Sequence, residues 1–171
     1  MSATGSSHAA TTLGGSPADG PAAPRLELHV LLYSDSYLTR DAVRAGVGRR
    51  PARDVEVVRW TECATAPAVL EAVDEGGIDL VILDGEAAKT GGMALSRQIK
   101  AEVSDAPPVL LLIGRPQDGW LASWSMSDAV VPHPLDPIAL ADTVARMGRD
   151  AAAGAPVAGF APDPGRPGPD A

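Results

Sequence analysis

Two aspartates stand at the ends of apolar runs, where a carboxylate is both uncommon and chemically useful. Asp84 follows Leu80-Val81-Ile82-Leu83, and Asp35 follows Val30-Leu31-Leu32-Tyr33 with only Ser34 between. If the fold brings them close, their charges repel, and one carboxyl takes a raised pKa unless a cation sits there. Three other residues invite a chemical reading. His133 lies between Pro132 and Pro134 and reads first as a rigid turn residue, second as a contact for phosphate or metal. Cys63 is the only cysteine, so no intrachain disulfide forms, and a lone cysteine is more often a small buried residue than a nucleophile. Trp120 and Trp124 are four residues apart, hence on one face of a helix, either packed on the core or offered to a partner, with Met126 close by.

The bulk properties restrict what these residues can serve. The 171 residues suffice for one ordinary domain, and 45% of them are hydrophobic. Aromatic residues make up only 4%, so Val, Leu, Ile and Ala must fill the core. A net charge of −8 argues against nucleic acid as a partner, because that binding rests on cations facing phosphates. The densest basic group, Arg49, Arg50 and Arg53, reads as a solvated helix end and loop. No apolar run approaches the ~20 residues a membrane span requires, and no basic stretch leads into an apolar one at the start of the chain. The expectation is a cytoplasmic protein with no membrane insertion.

The elements that would position Asp35 and Asp84 alternate along the chain. Residues 1–24 and 150–171 are rich in small residues, Pro and Gly and read as disordered tails around a domain spanning 25–149. Within it, strands are expected over 26–34, 54–60, 79–83, 108–113 and 129–131. Helices are expected over 37–48, 66–75, 92–103, 118–126 and 136–147, with Ser36 and Asp136 as amino-terminal caps. The nearly continuous apolar run before Gly114 implies burial on both faces, as in the middle of a parallel sheet. Five strand–helix alternations predict an α/β fold with helices on both faces. In such open sheets the functional site lies beyond the carboxyl ends of the strands. That rule gathers Ser34, Asp35, Trp60, Asp84, Ile113 and His133.

Four segments, in order, carry a family resemblance. Val30 to Arg40, running from an apolar stretch into Ser34-Asp35, resembles the opening of a response-regulator receiver (CheY-like) domain. Asp79-Leu80-Val81-Ile82-Leu83-Asp84 is similar to its third strand and phosphoacceptor. Thr90-Gly91-Gly92-Met93 and His133-Pro134-Leu135-Asp136-Pro137 are similar to its glycine-bearing turn and the Lys-Pro segment before the last helix. Gly114-Arg115-Pro116, Trp120-Leu121-Ala122 and Val131-Pro132-His133-Pro134 further resemble an atypical actinobacterial group of stand-alone receivers. The resemblance implies a flavodoxin-like, doubly wound, five-stranded parallel sheet of order 2-1-3-4-5 with five helices. It implies Mg²⁺ held by Asp35, Asp84 and the backbone carbonyl of Glu86, and a cis bond between His133 and Pro134. It also implies an output and dimer face near Trp120, Trp124 and Met126, so that the protein is a monomer or a homodimer.

The match to the receiver pattern is incomplete where the chemistry is concentrated. Ser34 stands for the first acid of the family pair, Ile113 for its hydroxyl residue, Val130 for its aromatic and His133 for its lysine. Three functions follow as expectations. The first is a regulatory protein-interaction module, largely independent of phosphorylation and without enzymatic turnover, acting through a protein partner. A histidine kinase and the respiratory NADH–quinone oxidoreductase are the partners the resemblance suggests. The second is an active two-component response regulator phosphorylated on Asp84. The third, a phosphatase of the haloacid-dehalogenase type, is disfavoured because the second acid is Glu86, the motif's Thr is absent and no cap is expected.

Overall fold

The first strand, β1 (Leu26–Tyr33), is apolar enough to be buried yet needs neighbours on both edges. In the computed structural model, which describes residues 24–155, it lies second in a five-stranded parallel sheet of order β2-β1-β3-β4-β5. The other strands are β2 (Val55–Cys63), β3 (Leu80–Asp84), β4 (Val109–Ile113) and β5 (Ala129–Pro132). The helices are α1 (Tyr37–Val47), α2 (Ala66–Glu75), α3 (Gly92–Glu102), α4 (Leu121–Ser125) and α5 (Pro137–Ala152). Every residue of β3 and β4 is buried, which is why both read as unbroken apolar runs. The switch in strand order falls between β1 and β3, so the carboxyl ends of these two strands flank the crevice that doubly wound sheets use for function.

Side chains alternate across the sheet into two cores. Leu28, Val30, Leu32, Ile82 and Leu112 meet Val43 of α1 and Leu140 and Val144 of α5. Leu31, Val81, Leu83 and Leu111 meet Val69 of α2 and Leu95 and Ile99 of α3. Aliphatic residues fill both layers, as the scarcity of aromatics requires. The helices start where their caps predict. Ser36 accepts from the Thr39 amide, Thr65 from Ala68, and Asp136 from Ile138 and Ala139 ahead of a first-turn proline.

Three expectations are corrected. First, β2 runs to Cys63 rather than Trp60, pairing Thr61, Glu62 and Cys63 with Leu31, Leu32 and Tyr33. It is an edge strand, so its polar residues face solvent and hide the strand pattern; a register shift between Leu28 and His29 breaks the alternation further. Second, the helix expected over 118–126 is a 3-10 turn, Pro116–Trp120, followed by the short α4. Met126, at φ 60°, ends it. The two tryptophans therefore do not share one regular helical face, and neither is in the core: Trp120 is 65% and Trp124 50% exposed. Third, α5 continues to Ala152, past the helix end expected at 147. Alanine is the strongest helix former and carries the helix to Gly154, at φ 63°. Arg149 anchors this last turn with a forked pair of bonds to Asp54 at 2.7 and 2.8 Å, holding that carboxyl down to about 2. Of the expected tails, 1–23 and 156–171 lie outside the described residues.

Candidate functional site

Adjacent parallel strands place residues in register, and Tyr33 of β1 pairs with Leu83 of β3. One residue further on, Ser34 and Asp84 therefore meet. The Ser34 hydroxyl donates to Asp84 Oδ2 at 2.7 Å and accepts from the Ser36 amide at 3.1 Å. The Glu86 amide donates to Asp84 Oδ1 at 2.9 Å. Each carboxylate oxygen thus has a protein donor, and both side chains are buried: Ser34 is 0% and Asp84 4% exposed. A hydrogen bond to a charged group contributes about 1.5–3 kcal/mol, so these contacts offset the cost of burying the carboxylate.

Glycines let the loop after β3 close over this pair. The Gly85 amide donates to the Leu112 carbonyl at 2.8 Å. A Cβ at Gly85 would lie 2.5 Å from that carbonyl oxygen, and one at Gly92 only 2.6 Å from the Asp84 carbonyl oxygen. The glycine-bearing turn noted in the sequence is thus a site of close backbone approach. Two further residues complete the frame. Arg40 reaches from α1 to donate to the Ser34 carbonyl at 2.6 Å, and Tyr33 donates to the Thr90 carbonyl at 2.7 Å. Burial first, then the negative charges of Asp35 and Asp84, push the Tyr33 phenol above its ordinary pKa. Its place one residue before Ser34 was the available signal.

Asp35 stays on the exposed rim, where its Oδ2 accepts from the Ala88 amide at 2.9 Å. Glu86 is also exposed, with its carboxylate close to where a Cβ on Gly114 would stand. Ile113, expected at the family's hydroxyl position, is 2% exposed and packs in the core with Tyr33 and Ala87. Val130 is half-buried against that same core. The His133 amide donates to the Ile113 carbonyl at 2.8 Å, and the bond to Pro134 is cis. Among the described residues, the His133 imidazole makes no hydrogen bond to a protein group. Cys63 is buried at the end of β2, and burial pushes its thiol up, the opposite of what a nucleophile needs.

Receiver domains commonly hold Mg²⁺ beside the phosphoacceptor. Here the donor set fits that ion poorly. Among the described residues no group of three or more His, Cys, Asp and Glu side chains is placed to hold a metal. Ser34 offers a neutral hydroxyl whose proton already points at Asp84, and three of the four carboxylate oxygens of Asp35 and Asp84 accept from protein donors. A cleft of about 780 Å³ lies at the opposite end of the sheet near Leu26, Ile78 and Pro108, away from this chemistry.

A five-stranded parallel sheet of this order is a flavodoxin-like doubly wound fold, the one that receivers use. No family profile matches the chain. Two uncharacterized response regulatory proteins of Mycobacterium tuberculosis are each 51% identical to it over 117 residues, covering 68% of this chain and 88% of the relative. Solved structures agree on the fold. A CheY-like receiver domain from Methanospirillum hungatei matches with TM-score 0.61 at 13% identity, over 74% of this chain and 98% of that one. The receiver domain of a putative LuxO repressor protein from Vibrio parahaemolyticus matches with TM-score 0.62 at 17% identity, over 75% and 95%. The chain belongs to the response regulator receiver family. Receivers are in general signalling modules, without turnover of a substrate, that act through other proteins. No described helix is long and apolar enough to cross a membrane.

Proposed function

We propose that this receiver is a cytoplasmic protein-interaction module whose acidic pocket is held in one state without phosphorylation. The observation that carries this reading is the 2.7 Å hydrogen bond from Ser34 to Asp84. In a switching receiver, a cation relieves the carboxylates and a phosphoryl group recruits new partners. Ser34 relieves Asp84 from within the chain, and Ile113 offers no hydroxyl to a phosphoryl oxygen. Moving a two-state population from 1:99 to 99:1 takes about 5.5 kcal/mol of differential binding. Each missing charged hydrogen bond removes about 1.5–3 kcal/mol of that, so two missing grips leave most of the shift unsupported.

Output on this reading passes through the surface around the 3-10 turn and α4. Trp120, Trp124 and Met126 are all large, apolar and about half exposed or more. The Arg97 guanidinium stands 5.4 Å from the centre of the Trp124 ring and donates to the Trp124 carbonyl at 3.2 Å, which fixes the indole in place. A preset aromatic beside a cation is the composition that dominates binding energy in protein interfaces. A histidine kinase and the respiratory NADH–quinone oxidoreductase are the partner classes the family resemblance offers.

A second reading, an active response regulator, is favoured by Asp84 standing at the end of β3 beside Asp35. Immobilised wild type, Asp84→Asn and Trp124→Ala separate the two in a capture experiment from the native cell extract. The expected result is a partner retained by Asp84→Asn and lost or weakened at least severalfold by Trp124→Ala. Capture that disappears in Asp84→Asn while surviving Trp124→Ala supports the second reading instead.

A further inference from the structure

We propose that the loop between α1 and β2 forms a second binding site, for a small phosphate-bearing molecule, at the opposite end of the sheet from Asp84. Charge is strongly segregated in this chain. Between Arg40 and Cys63 stand six of the 14 Lys and Arg residues but only four of the 22 acids, giving a local charge of +2 in a chain of −8. The fold adds a seventh cation, Arg25, which precedes β1 and lies beside the start of β2.

Arg25, Arg50 and Arg53, with Ala52, line one cleft of about 520 Å³. That is within the usual range of small-molecule sites. The carboxylates within reach do not satisfy these cations. Glu56 accepts a close bond from Arg49 at 2.7 Å but stands 3.9 Å from Arg25 and 3.8 Å from Arg50. Asp54, the other nearby acid, is taken by Arg149 at 2.7 Å. Glu27 is paired in register with Glu56 and adds one exposed carboxylate to the rim. Among the described residues Arg53 makes no ion pair. Three arginines therefore line one concavity, and the carboxylate contacts of Arg25 and Arg50 there are long.

The loop that carries them is tied down. The Val57 amide donates to the Arg49 carbonyl at 2.8 Å, and the Val55 amide to the Ala52 carbonyl at 3.3 Å. The arginine backbone is thus set before any ligand arrives, which lowers the ordering cost of binding. Guanidinium forks match phosphate oxygens two at a time. Among the described residues no aromatic side chain lines the cleft to stack on a base, so the phosphate portion is what the site reads. The acidic remainder of the protein does not cancel this attraction, because at physiological ionic strength charges beyond about 8 Å are screened. The same acidity disfavours a long nucleic acid strand, which would extend past the basic edge.

The test is calorimetric titration of the full chain with inorganic tripolyphosphate at physiological salt. Arg50→Ala/Arg53→Ala is the site variant, and Lys89→Ala, which removes an exposed cation in the loop after β3, is the control far from the cleft. The expected result is saturable one-to-one binding, weakened at least tenfold in the double variant and unchanged in the control. Far-ultraviolet circular dichroism with the wild-type thermal transition establishes that the double variant is folded. No saturable binding, or equal binding by the double variant, overturns the proposal. So does a single-stranded oligonucleotide, or a vesicle containing anionic lipid, that binds more tightly than tripolyphosphate in the same buffer.

Discussion

Ser34→Asp is expected to lower stability by about 6 kcal/mol in metal-free buffer near neutral pH, the sum of charge repulsion and a lost hydrogen bond, as read from urea unfolding. The substitution puts a second carboxylate where the Ser34 hydroxyl now donates to Asp84 at 2.7 Å. Two like charges about 4 Å apart repel by roughly 4 kcal/mol at the effective dielectric that describes protein sites. The favourable hydrogen bond is lost at the same time. Ser34→Ala, which removes the bond without adding charge, is expected to cost about 2 kcal/mol. The two variants should then part on adding Mg²⁺. Ser34→Asp recreates an acid pair for the cation, and a ligand at one hundred times its dissociation constant restores about 2.7 kcal/mol. Ser34→Ala and wild type should hardly move. A Ser34→Asp protein as stable as wild type without Mg²⁺ would mean that the hydroxyl is not what holds Asp84 in place.

Gly92→Ala is expected to cost about 3 kcal/mol, the upper part of the usual range for overpacking. A Cβ there would stand 2.6 Å from the Asp84 carbonyl oxygen and 2.8 Å from its carbon, both backbone atoms that cannot turn aside. The neighbouring Gly91 is the internal comparison. Its Cβ would meet only the Gly85 carbonyl oxygen, at 3.4 Å, so Gly91→Ala should be nearly neutral. Because the strain in Gly92→Ala falls on the backbone of Asp84, the Glu86 amide resonance should also move, as its bond to Asp84 Oδ1 is disturbed. Equal stability of the two alanine variants would show that the loop is loose and that the close approach at Gly92 does not shape the pocket.

Much of this arrangement is legible in the sequence, and the reasons for the rest are physical. Fully buried strands announce themselves, so β3 and β4 are bounded to within a residue and Asp84 is placed at once. The edge strand β2 is harder, because Thr61 and Glu62 sit on a solvated margin where polar residues carry no strand signal. The segment from Pro116 to Met126 has helical composition, but whether a proline-led turn becomes 3-10 or α depends on packing that periodicity does not encode. Substitution of Ser34, Ile113, Val130 and His133 for the family residues is visible by comparison of types. What Ser34 does instead is not visible: its direction toward Asp84, and the Ser36 amide that orients its hydroxyl, arise only when β1 and β3 lie side by side. That Arg25 stands with Arg50 and Arg53 is not legible in the sequence, because Arg25, more than twenty residues earlier, reaches them only through the pairing of β1 with β2.

The central claim is that Asp84 sits in a pocket satisfied from within and does not serve as a phosphoryl switch. Its most direct test is intact-mass measurement of the full chain after incubation with Mg²⁺ and acetyl phosphate, beside Asp84→Asn. The account predicts that the wild type gains no stable phosphoryl group and that the two proteins behave alike. A wild type carrying one phosphoryl group in high yield, with none on Asp84→Asn, would contradict it.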